Sequence, residues 1–177
     1  MLRPTAKAEP CNLREWSVEL GRLFTCGRPG RGHYPSADKK WPTIVPDVIL
    51  HSWVAGLPLC SPLNIVSLLG SKFVGKHSEF KHYPFRSCFE TGSKTTFQAW
   101  LDANCDRRFR VHEFRTVDAD PAGIPLDEIA RITACVHGLL AQGEAVVIVD
   151  SAGVSRTGRV CREMGLMENQ SLGGRCA

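Results

Sequence analysis

Nine consecutive residues, Asp150-Ser151-Ala152-Gly153-Val154-Ser155-Arg156-Thr157-Gly158, combine the groups that hold an anion. Gly153 lets the backbone curl, so that N–H groups across Ser151, Ala152, Gly153, Val154 and Ser155 can point at one spot, and a helix starting behind them adds its positive end. Arg156 follows Asp150 after five intervening residues. Its planar guanidinium can give two parallel hydrogen bonds to phosphate oxygens, and Thr157 supplies a hydroxyl beneath the loop. The chemistry is phosphate binding, and Asp150 sets a carboxylate at the base of the cradle.

Such a loop works only between two rigid elements. Glu144 to Val149 reads as a strand buried on both faces, the kind that lies inside a helix-covered sheet, and Val160, Met164 and Met167 continue a helix behind the loop. Ahead of the strand, Ile129, Ile132, Val136 and Leu139 make the apolar stripe of a helix over Pro125 to Leu140. Asp127 and Glu128 sit in its first turn, where the helix dipole favours them, and Gly143 closes the unit. Further strands are expected at Thr43 to Val45, Val48 to Trp53, Asn64 to Leu69 and Phe109 to Val117. A short helix is expected over Thr95 to Asn104, and an amphipathic one over Leu13 to Phe24. Together these predict an α/β fold: a central, mostly parallel sheet of about four or five strands flanked by helices, with Asp150 to Arg156 at the C-terminal end of an interior strand.

Ser-Ala-Gly-Val-Ser-Arg and the closing Arg-Thr-Gly resemble the phosphate-binding loops of the dual-specificity and protein tyrosine phosphatases, whose motif runs His-Cys, five residues, Arg, then Ser or Thr. The similarity is specific across Val146 to Gly158, weaker from Trp41 to Leu140, and absent from residues 1 to 40. It divides the chain into a basic N-terminal segment, 1–40, and a dual-specificity-phosphatase-like domain, 41–177, short at its C-terminus. The resemblance assigns phosphate binding to Ser151, Ala152, Gly153, Val154, Ser155, Arg156 and Thr157. It places the general acid at Asp118 or Asp120, between which the sequence does not choose. The family's His-Cys falls on Val149-Asp150, so the nucleophile and the His that tunes it are both missing. A thiolate serves there because it is a strong nucleophile and a good leaving group. The resemblance therefore implies a pseudophosphatase that binds a phosphorylated ligand or a protein partner. The alternative is residual phosphate-ester hydrolysis with Asp150 in the nucleophile's position, and loop N–H groups and Arg156 are the expected partners of that carboxylate.

Composition narrows the classes. The chain has 177 residues, 43% hydrophobic and 23% charged, as expected of one globular domain. Its net charge of +4 equals the excess of eight basic over four acidic groups in the first forty residues, which read as a solvated basic tail. Basic and aromatic residues interleave from Lys72 to Phe89. With no repeat or recognised module they read as a surface insertion, and a nucleic acid partner is not expected. No apolar run approaches the ~20 residues of a membrane helix. The N-terminus lacks a secretory pattern, so a cytoplasmic setting is expected. The eight cysteines are scattered, without C-x-x-C or paired His spacing, and neither a metal nor another cofactor is expected.

Overall fold

The computed structural model describes residues 10–31, 47–69, 97–114, 116, 124–150 and 153–166. They form a five-stranded mixed sheet flanked by four helices. In chain order the elements are β1 (Arg14–Trp16), β2 (Arg22–Gly27), α1 (Asp47–Gly56), β3 (Leu63–Ser67), α2 (Phe97–Asn104), β4 (Phe109–Glu113), α3 (Leu126–Ala141), β5 (Ala145–Asp150) and α4 (Ser155–Glu163). The strand order is β1-β2-β5-β3-β4, with β1 antiparallel to β2 and every other pairing parallel.

β5 lies at the centre because every one of its residues is buried and neither face has to meet water. Ala145, Val147 and Val149 pack with Leu50, Trp53 and Val54 of α1 and Phe97, Trp100 and Leu101 of α2. Val146 and Ile148 turn to the other face, against Ile129, Ile132, Val136 and Leu140 of α3 and Val160 and Cys161 of α4. The period-2 alternation of a strand thus feeds two separate apolar layers. Register carries the same alternation outward: Val147 stands between Phe24 on β2 and Ile65 on β3, and Asp150 stands beside Gly27.

Two expectations are overturned. Leu13 to Phe24 is not a helix but the β1–β2 hairpin, in which Trp16 faces Leu23. Gly21, at φ 68°, turns the chain where a Cβ would meet the Glu144 carbonyl oxygen at 2.5 Å, and a left-handed residue of this kind ends helical periodicity. The sheet therefore takes in part of the segment 1–40 instead of starting beyond it. Val48 to Trp53 is not a strand but lies within α1. Leu50, Trp53, Val54 and Leu57 are buried at i, i+3, i+4 and i+7 while Val48 is exposed, which is a helical stripe hidden under a β-branched run. The strands expected over Asn64 to Leu69, Phe109 to Val117 and Glu144 to Val149 correspond to β3, β4 and β5, with β4 already ending at Glu113, and the helices expected over Thr95 to Asn104, over Pro125 to Leu140 and behind the loop correspond to α2, α3 and α4. The strand expected at Thr43 to Val45 and the insertion at 71–93 lie outside the described residues. No helix among the described residues is long and apolar enough to cross a membrane.

At the N-terminal end of the parallel strands a polar corner interrupts the apolar layers. Buried Asn64 of β3 donates from Nδ2 to Glu144 Oε2 at 2.7 Å and to the Ala145 carbonyl at 3.1 Å. Its Oδ1 is left facing His112 Nε2 at 3.1 Å, so that ring nitrogen is the donor. Arg110 closes the group on Glu144 at 2.9 Å. Burial pushes the His112 ring below its ordinary value, with Arg110 adding to the effect. The Asn64 amide, with Arg110, holds the Glu144 carboxyl below the usual carboxylate range.

Candidate functional site

The C-terminal ends of β2, β3 and β5 converge at the opposite end of the sheet, with Thr116, beyond the end of β4, reaching in beside them. Open parallel sheets place their ligands at this end, where strands stop and helices begin. Asp150 is the last residue of β5 and is 2% exposed. Its backbone carbonyl accepts from Arg28 N at 2.9 Å, so the turn after β2 is stitched to the start of the loop. The same turn is held from the other side by Trp53 of α1, whose Nε1 donates to the Gly27 carbonyl at 2.9 Å.

The Asp150 carboxylate faces the start of α4. Oδ1 accepts from Gly153 N, and Oδ2 accepts from Thr157 N at 3.0 Å. A helix leaves its first four N–H groups without partners inside the helix, and here the residue before the helix, Val154, offers no side-chain cap. The carboxylate takes that role from the end of the preceding strand and adds the charge that the helix dipole favours. Gly153 makes the arrangement possible. It has φ 74°, and a Cβ there would overlap the Cys26 carbonyl carbon and the Gly27 nitrogen, so the loop lies directly on the β2 backbone.

Arg156, in the first turn of α4, is also 2% exposed. Its Nη1 donates to the Leu68 carbonyl at 2.9 Å and to Thr116 Oγ1 at 2.9 Å, and Thr116 in turn donates to Leu68. The guanidinium therefore ties α4 to the chain beyond β3 and β4. Thr157 is 1% exposed, and its Oγ1 finds no hydrogen-bond partner among the described residues. Val154 and Ser155 are exposed at the outer side of the loop.

The structure places Asp150 at the end of β5 and Gly153, Val154, Ser155, Arg156 and Thr157 at the start of α4. Ser151, Ala152, Asp118 and Asp120 lie outside the described residues. Two contributors escaped the sequence reading. Arg28 was counted with the basic tail, yet it is buried beside the loop, with Nη1 donating to the Pro29 carbonyl at 2.8 Å. The apolar run Leu-Phe-Thr-Cys before Gly-Arg-Pro-Gly was its signal, since a strand followed by a Gly- and Pro-rich turn ends where the sheet's ligand end lies. Thr116 carried no signal beyond its place after a strand. Compared with models of known protein families, with curated proteins and with solved structures, the chain gives no match.

Proposed function

We propose that this protein is a pseudophosphatase: a phosphatase-type domain that acts by binding a protein partner or a phosphorylated ligand and performs no hydrolysis. The observation that carries this reading is the Asp150 carboxylate, which accepts hydrogen bonds from Gly153 N and Thr157 N. Those are donors of the kind that a phosphate in the loop would use. A carboxylate held by two N–H groups is a poor nucleophile and has neither the reactivity nor the leaving ability of a thiolate. Asp150 fills the cradle and keeps α4 capped. A phosphorylated ligand enters only by displacing it and by drawing Arg156 from Leu68 and Thr116.

Calorimetric titration with inorganic phosphate tests this. Asp150→Ser removes the internal competitor and is expected to raise phosphate affinity roughly tenfold, the worth of one charge-assisted hydrogen-bonded pair. Arg156→Ala is expected to weaken binding in either background. Equal affinity for parent and Asp150→Ser proteins would mean that Asp150 does not compete for the cradle. Aryl phosphates are expected to show no turnover above background, and turnover that vanishes in Asp150→Asn would replace this reading with residual hydrolysis.

A further inference from the structure

β4 ends the described sheet, and a single helix residue is set against its outer edge. The Arg108 carbonyl accepts from Leu63 N at 3.0 Å and Phe114 N donates to the Ser67 carbonyl at 3.0 Å, so the even-numbered residues from Arg108 to Phe114 serve β3. Pleating then turns the N–H and C=O groups of Phe109, Val111 and Glu113 outward. Gln98 of α2 meets two of them. Its Oε1 accepts from Val111 N at 2.8 Å, and its Nε2 donates to the Phe109 carbonyl at 3.0 Å and to Asp102 Oδ1 at 2.8 Å. A side-chain amide thus makes the acceptor and donor contacts that the backbone of a further strand would make. An uncovered edge is a template for pairing with another chain, and here the cover is one half-buried side chain.

The two sides of this edge differ chemically. Arg110 and His112 turn toward Glu144 and Asn64 on the side of α3, at 2.9 and 3.1 Å, and alternation puts Arg108 on that side as well. Arg108 and Arg110 are both exposed. Arg110 meets the Glu144 carboxylate, whereas Arg108 has no ion-pair partner among the described residues, so this side is cationic. On the other side Phe109 is buried and Val111 half-buried against the layer that holds α1 and α2, with Glu113 exposed beyond them.

We propose that the outer edge of β4 is a strand-addition site for an extended peptide whose side chains alternate between carboxylate and apolar, and that Gln98 is the internal placeholder which the peptide displaces. In this mode main-chain hydrogen bonds supply the affinity and alternate side chains supply the choice of partner. Every second side chain of an added strand lies beside Arg108 and Arg110, where an opposite charge is favourable, and the others lie beside Val111, where an apolar group is. The proposal does not rest on the reading of the Asp150 cradle.

Calorimetric titration of the full chain with the end-blocked heptapeptide Glu-Val-Glu-Val-Glu-Val-Glu tests this. Saturable binding to Gln98→Ala is expected, with the parent weaker by roughly tenfold, the margin of the two hydrogen bonds that the placeholder keeps for itself. A Lys-Val peptide of the same length, and Arg108→Glu in the Gln98→Ala background, are each expected to lower affinity by about tenfold or more. Amide exchange read by NMR locates the peptide: the outward N–H groups of Val111 and Glu113 in Gln98→Ala are expected to slow at least about tenfold when it binds. Far-UV circular dichroism checks that the variants are folded; alanine suits a helix interior, and Arg108 is exposed. No binding to Gln98→Ala, equal affinity of parent and Gln98→Ala, equal affinity for the two peptides, or unchanged exchange at Val111 and Glu113 would each overturn the proposal. So would self-association of peptide-free Gln98→Ala in sedimentation that the peptide fails to reverse, since a second copy of the chain would then be the occupant.

Discussion

Asp150 is a strand residue that acts as a helix cap, and this dual position sets what its replacement does. Asp150→Ala strips Gly153 N and Thr157 N of their acceptors in a buried setting, and the loss of a capping side chain costs about 1–2 kcal/mol. Asp150→Asn keeps one acceptor oxygen and is expected to fall between parent and alanine. The sharper test of local geometry is Gly153→Ala. Its methyl group would overlap the β2 backbone, and the left-handed φ is unfavourable for alanine. The loop must then lift from β2, so the destabilisation is expected to exceed ~2 kcal/mol, more than the cap itself. Urea denaturation of the three variants checks both the order and the size. If Gly153→Ala were as stable as the parent, the close packing of loop on strand would be wrong. Arg156 shows how far residue identity can be read without coordinates: its place in the loop is legible from spacing, but its hydrogen bonds to Leu68 and Thr116 depend on strand ends far away in sequence.

At the scale of elements, what the sequence revealed depended on how long a single period persisted. β5 and α3 are long and uniform, and both were legible. α1 was misread because Val48, Ile49 and Leu50 are contiguous and strand-like, while the helical stripe only emerges at Trp53, Val54 and Leu57. β1 and β2 were misread because the hairpin's apolar residues happen to fall at helical spacing, and only pairing with β5 selects the strand. The polar corner at the other end of the sheet makes a pH prediction. His112 and Glu144 both have lowered folded-state values, from ordinary ones of 6.5 and 4.5. For each, the unfolded chain takes up its proton first as the pH falls. The stability these groups contribute is therefore complete above about pH 6.5, and it declines below that for His112 and below about pH 4.5 for Glu144. Melting temperatures between pH 7 and pH 4 are expected to fall in both steps, and His112→Gln should remove the upper one. Identical pH profiles for parent and variant between pH 7 and pH 5 would show that His112 is not the group responsible.

For the whole molecule, the two apolar layers govern which parts meet solvent. Cys161 of α4 lies in the layer shared with α3, and burial pushes its thiol up to about 12, against a smaller lowering by Arg162. Essentially no thiolate is present at neutral pH, and the thiolate is the reactive form. Cys161 is therefore expected to resist thiol reagents until the α3 and α4 layer opens, together with buried Cys11 and Cys26, whereas partly exposed Cys60 reacts early. Mass spectrometry of protein pulse-labelled over a urea gradient checks the order, and early labelling of Cys161 would mean that α4 detaches independently of the fold.

The hydrogen bonds of Asn64 have a consequence for how the strands find one another. Leu63-Asn64-Ile65-Val66-Ser67-Leu68-Leu69 is apolar enough to pair with its neighbours in more than one alignment. Moving β3 along by one residue turns each side chain to the opposite face. The amide would then enter the apolar layer built by Leu50, Trp53 and Phe97, away from Glu144 and His112, its partners in the observed register. A buried amide left without partners costs more than a leucine gains by changing sides. Asn64 thus selects one alignment out of several, and in doing so it brings Leu68 to the position from which its carbonyl can hold Arg156 at the far end of the sheet.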